Sequence, residues 1–314
     1  MVLTHNYSLE RIGEQFVAMQ RKRILKLGGD STDRGFGSPH AQLTVGRMRR
    51  RKSVRGSVAI LAFTLITVLI GHIAPAAGDN LGIVLLHGKG GSPSGYVREL
   101  ASALQSNGHL VSTPTMPWAE NRIYDASFDE AMLEIDREID SLRQKGAKFI
   151  VVAGHSLGAN AALGYASLRD GASGIIALAP AHTPELPAFI KRVRHDVRRA
   201  KDLVAAGKAK EKHRFSDVNQ GRSFEVTASA EVYLSWFDPD GPAVMPKSAT
   251  SLKVPTPLLL IIGSHERTAQ GKDYIFDKVP PHPNSRFVIL PADHFAVPSA
   301  AIEEVVTWLR SLLQ

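Results

Sequence analysis

From residue 79 to the C-terminus, short apolar runs alternate with stretches whose apolar positions recur at helical spacing. LGIVLLHG (81–88), HLVSTPTMP (109–117), KFIVVAG (148–154), GIIALAP (174–180), PLLLIIG (257–263) and RFVILP (286–291) predict strands, most of them apolar enough to be buried on both faces. Between them YVRELASALQSNG (96–108), SFDEAMLEIDREIDSLRQKG (127–146) and LGANAALGYASLR (157–169) predict helices, with AIEEVVTWLRSLL (301–313) closing the chain. The second helix is the best marked. Ser127 and Glu130 form a capping box, and Phe128, Met132, Ile135, Ile139 and Leu142 fall on one face. Such alternation predicts an α/β fold, a mostly parallel sheet of about six strands with helices on both faces.

The alternation breaks at 181–250. This insertion begins with a long polar helix, roughly Pro187–Lys212, followed by a loop region containing SWFDPDGP. It follows the C-terminal end of a strand, the edge at which α/β sheets bind ligands, and so reads as a helical cap. Residues 189–214 hold ten Lys/Arg against three acids, which suits either a solvated surface helix or a cap facing an anionic substrate or membrane surface. Trp118, Tyr124, Trp236 and Phe237 fall near the loops above the sheet, as pocket lining or as simple packing.

Upstream the pattern is different. In MRRRKSVRGSVAILAFTLITVLIGHIAPAAGDN (48–80) a basic flank precedes an uncharged apolar core, and small residues follow around Ala74-Pro75-Ala76. That is the layout of a secretory signal, and the uncharged stretch is also long enough for an N-terminal membrane anchor. Residues 48–78 are therefore expected to export the chain to the periplasm or beyond, or to anchor it in the inner membrane through residues 56–78 with residues 79–314 outside. Residues 1–47 lack useful periodicity and read as disordered, or as a mis-assigned extension ahead of a start at Met48.

Charge follows the same division. The formal net charge is +8, but residues 1–56 hold 12 Lys/Arg against 4 Asp/Glu, leaving 26 of each for residues 57–314. The folded part is neutral overall, so the basic balance is no argument for a nucleic-acid partner. There is no cysteine, which excludes disulfides, thiol nucleophiles and Cys-based zinc sites. Neither a metal-ligand spacing nor the spacing of a phosphate-binding loop occurs, so no metal and no cofactor are expected.

The candidate chemistry starts at VVAGHSLGAN (151–160). A Gly-x-Ser-x-Gly pattern alone is weak, but here a strand ends at Gly154 and a helix starts at Leu157, which requires a sharp turn that lifts Ser156 above the sheet. A serine hydroxyl needs a base, an orienting acid and oxyanion donors. His294 in PADHF follows the last strand and would share an edge with Ser156, whereas His282 precedes that strand. Glu266, three residues past Gly263, is the acid candidate; Asp238 and Asp240 are the fallback, and Asp293 adjoins His294 too closely to reach its ring. The backbone N–H groups of Lys89, in the glycine-rich turn after the first strand, and Leu157 are the candidate oxyanion donors. This reading gives the Lys89 side chain no role.

From about residue 80 onward the chain resembles the α/β-hydrolase superfamily, of the esterase/lipase and dienelactone-hydrolase-like sort. The resemblance rests on His87-Gly88, on Gly154-His155-Ser156-Leu157-Gly158 and on Asp293-His294. It implies Ser156 as nucleophile, His294 as base, Lys89 and Leu157 as oxyanion donors, and an acid in the loop of Glu266, where aspartate is commoner. The expected function is an exported serine hydrolase that cleaves a carboxylic ester of a small molecule or lipid-like compound. Thioester, amide and C–C bonds are the alternatives within enzymes, and a non-catalytic or membrane-associated binding protein is the alternative outside them. Oligomeric state is not legible.

Overall fold

The computed structural model describes residues 81–267 and 269–313. The predicted signal or anchor at 48–78 and the extension at 1–47 lie outside the described residues. Among the described residues no helix is long and apolar enough to cross a membrane.

The chain order is β1 (Leu81–Leu86), α1 (Arg98–Ser106), β2 (Leu110–Ser112), α2 (Phe128–Gln144), β3 (Phe149–His155), α3 (Leu157–Leu168), β4 (Gly174–Leu178) and α4 (Pro187–Ala205). Then come β5 (Lys212–Asn219), β6 (Arg222–Ser229), α5 (Ala230–Phe237), α6 (Met245–Thr250), β7 (Leu258–Gly263), β8 (Arg286–Leu290), α7 (Val297–Ala300) and α8 (Ile302–Ser311). Six strands form a sheet in the order β2-β1-β3-β4-β7-β8, every pair parallel. The order reverses direction between β1 and β3, and such a switch point opens a crevice at the C-terminal strand ends.

Strand side chains alternate between two buried layers. Val84, Leu86, Ile150, Val152, Ile175 and Ala177 face the layer of α2, α3 and the insertion. Leu81, Ile83, Leu85, Val151, Ala153 and Ile176 face the layer of α1 and α8. The α2 capping box is present, and its buried face is the one the spacing predicts.

The insertion is helical at α4, α5 and α6, but the region after α4 differs from expectation. The helix ends at Ala205 rather than near Lys212, and residues 212–229 form an antiparallel hairpin. The hairpin turns through Gln220 and Gly221, with φ of 47° and 76°. Positive φ at both central residues is the two-residue turn whose twist suits an antiparallel pair. Phe215 and Val226, paired across the strands, are both buried.

Candidate active site

The end of β3 is built by close packing of backbone. A Cβ on Gly154 would lie 2.1 Å from the Gly158 carbonyl oxygen, and one on Gly158 would lie 2.6 Å from that of Leu86. No larger residue fits either place, so the strand turns directly into α3. Ser156 at the apex has φ 58° and ψ −118°, an unfavourable conformation for a residue with a side chain. It is held by its N–H donating to Leu178 O at 2.9 Å and by its carbonyl accepting from Ala159 N at 3.0 Å and Ala181 N at 3.3 Å.

Three side chains from three different strand ends meet there. Ser156 Oγ lies 3.0 Å from His294 Nε2, and His294 Nδ1 lies 2.7 Å from Glu266 Oε2. Glu266 Oε1 accepts the Gly263 N–H at 2.6 Å, so both carboxylate oxygens are engaged. With Nδ1–H donating to a carboxylate, Nε2 carries a lone pair that faces Ser156 Oγ. Serine, imidazole and carboxylate side chains are all buried. Asp293 is used otherwise, accepting the N–H groups of Phe295 at 3.0 Å and Ala296 at 2.9 Å. Asp238 pairs with Lys201 at 2.9 Å.

A residue the sequence left without a role supports this line. His155 Nε2–H donates to the His294 carbonyl at 2.8 Å, tying β3 to the loop of His294. Burial, aided by the neighbouring His294, lowers the His155 pKa to about 3, so its ring is neutral at ordinary pH.

Across the cleft, the turn after β1 is fastened by His87. Its Nδ1–H donates to Gly88 O at 2.8 Å, Nε2 accepts Met116 N–H at 3.1 Å, and its carbonyl accepts Trp118 Nε1–H at 2.7 Å. Burial lowers its pKa also, which keeps Nε2 free to accept. The amides of Gly90 and Gly91 donate to Trp118 O at 2.8 Å and Gly88 O at 3.0 Å. Leu157 opens α3, where first-turn amides have no acceptor within the helix. Lys89 and Ser156 line one small cleft, with Tyr96, Phe295 and Asn219 at its edges. Tyr96 and Phe295 are exposed and pack together, tilted by 32° with ring centroids 4.9 Å apart. Trp118, Tyr124, Trp236 and Phe237 are not at this cleft; they are fully buried and pack on one another in the core.

The Lys89 side chain is buried against the insertion. Its Nζ donates to Asp217 Oδ1 at 2.5 Å and Val218 O at 2.9 Å, both in β5. Burial pushes the lysine pKa down and the aspartate pKa up, each opposed by the partner's charge. Among the described residues no group of three or more His, Asp or Glu side chains is arranged to hold a metal.

This architecture has known counterparts. A metagenome-derived lipolytic enzyme of the LipS and LipT pair is 16% identical, with a TM-score of 0.53 over 74% of this chain and 95% of that one. Monoacylglycerol lipase of Paleococcus ferrophilus is 24% identical, with a TM-score of 0.53 over 73% of this chain and 94% of that one. A thioesterase domain from the curacin biosynthetic pathway is 16% identical, with a TM-score of 0.50 over 74% and 92%. At these identities the likeness is one of fold. No curated protein matches the sequence. The sequence of the alpha/beta hydrolase family matches over residues 83–308, most of the chain and all four strand ends that meet at the cleft, and the chain therefore belongs to that family.

Proposed function

We propose that the protein is an exported serine hydrolase that cleaves a carboxylic ester of a small molecule through an acyl-enzyme. The observation that carries this reading is the Ser156–His294–Glu266 line, with contacts of 3.0 and 2.7 Å. Ser156 Oγ attacks the ester carbonyl carbon while its proton passes to His294 Nε2. The resulting oxyanion is met by the amides of Lys89 and Leu157. The C–O bond then breaks, and the leaving alkoxide takes the proton from His294. Water repeats the sequence on the acyl-enzyme, giving its proton to His294 and releasing the acid as Ser156 is reprotonated. Glu266 holds the imidazole tautomer and stabilises the imidazolium in both halves. The paired Tyr96 and Phe295 offer an apolar surface to one end of the ester, and residues 48–78 direct export.

Hydrolysis of p-nitrophenyl esters of graded acyl length by the wild type and Ser156→Ala tests the reading. Turnover is expected to fall by about 10⁶-fold in the variant. Equal turnover by both proteins, or a fluorophosphonate that leaves Ser156 unlabelled in the wild type, refutes it. The chain-length optimum separates short esters from lipid-like ones. Amino-terminal sequencing of protein recovered outside the cytoplasm tests export, expected to begin near Ala77.

A further inference from the structure

The loop of Lys89 is glycine-rich, and the bonds of His87, Gly90 and Gly91 hold its flanks while the Lys89 side chain makes a contact of its own. The Lys89 side chain leaves this loop and ends among residues far along the chain. Its Nζ meets Asp217 and the Val218 carbonyl, and lies 5.6 and 5.4 Å from the ring centroids of Phe189 and Phe237. The two charged side chains are 5% and 0% exposed. Asp217 Oδ1 also accepts the Val218 N–H at 2.5 Å, and Tyr124 Oη donates to Oδ2 at 3.4 Å. An ion pair so thoroughly desolvated adds little net stability, because apolar residues of similar volume commonly serve as well. What it does impose is position. A lysine fixed at Nζ within a packed pocket has its Cα, and so its amide, restrained as well.

We propose that the Lys89–Asp217 pair is a positioning device through which the insertion holds the oxyanion loop in register with Ser156. The inference rests on the ester-hydrolase reading above. Lys89 then serves twice, its amide facing the reacting carbonyl oxygen and its ammonium fastening that amide to β5. The cap is thereby part of the catalytic apparatus.

The test uses the full chain with three variants: Lys89→Met, Asp217→Asn, and the paired Lys89→Met/Asp217→Leu, which exchanges the ion pair for apolar groups of similar size. The readouts are melting temperature, kcat and KM on the best p-nitrophenyl ester, and affinity for an alkyl boronic acid whose adduct on Ser156 places an oxygen where the oxyanion forms. The paired variant is expected to melt near the wild type yet lose about 10²-fold in kcat, with little change in KM. Boronate affinity should fall in step with kcat. Unchanged kcat and boronate affinity in the folded paired variant overturns the proposal. If that variant and Lys89→Met do not fold, Asp217→Asn decides: about tenfold lower kcat at unchanged KM is expected, and an unchanged kcat overturns the proposal. An inert wild type that takes no fluorophosphonate at Ser156 sinks the underlying hydrolase reading, whereas an active wild type with unaffected variants sinks the positioning role alone.

Discussion

Ser156 is held in place by its immediate neighbours: two glycines that no other residue can replace, a strand that ends beneath it and a helix that starts above it. Lys89, on the opposite side of the cleft, is held by a carboxylate 128 residues away, on a hairpin that belongs to the cap. Ser156 is positioned by backbone sterics, which are local and insensitive to charge. The Lys89 side chain is held by a contact that is long-range and electrostatic. One side of the cleft is thus fixed by residues next to it in sequence, while the other also touches the cap.

The largest effect should come from the sheet-edge side. Glu266→Gln keeps the shape but favours the wrong histidine tautomer, and kcat at neutral pH is expected to fall about 10⁴-fold with Ser156 still in place. A loss below tenfold would mean that the histidine is oriented by other contacts, such as that from His155. Next, Gly154→Ala drives a methyl group into the Gly158 carbonyl, and a stability loss of about 3 kcal/mol or more is expected in urea unfolding. A tolerated alanine would show that the elbow yields, and the contrast with the cap side would fade.

A smaller effect should follow pH. His87, His155 and His182 are all depressed below their ordinary value of 6.5 by burial, His155 to about 3. In that window the unfolded chain binds more protons than the folded one, so stability is full above pH 6.5 and drains away as pH falls below it. For His155 the slope approaches about 1.4 kcal/mol per pH unit. Thermal unfolding at pH 7, 6 and 5 measures it, and His155→Gln should flatten the curve. The smallest effect belongs to the hairpin turn. Gly221→Ala meets no neighbour, yet its φ of 76° should cost about 1 kcal/mol. A fall in kcat beyond the fraction unfolded would tie the turn to the oxyanion loop.

The same contrast explains what was legible in the sequence. The strands, the elbow and all three members of the Ser156–His294–Glu266 line are marked by short-range signals: apolar runs, paired glycines, and polar residues just past strand ends. The hairpin is not so marked. Lys212 and Arg214 extend the charge run of α4, and the buried position of Asp217 carries a charge where a strand's inner face should be apolar. That charge makes sense only beside Lys89, and no local pattern announces a partner so far away. The turn residues Gln220-Gly221 were the available clue. The aromatic residues near the loops gave no direction either, since composition does not distinguish a ring that lines a cleft from one that fills the core.

Asn160, in the first turn of α3, donates both hydrogens of its side-chain nitrogen to backbone carbonyls, to His182 at 2.9 Å and to Ala243 at 2.8 Å. The first lies where the chain departs for the cap, and the second lies between α5 and α6, well inside it. One amide therefore staples two remote stretches of the insertion to the helix that begins beside Ser156. Both seams hang on a single side chain, so loosening it would release them together.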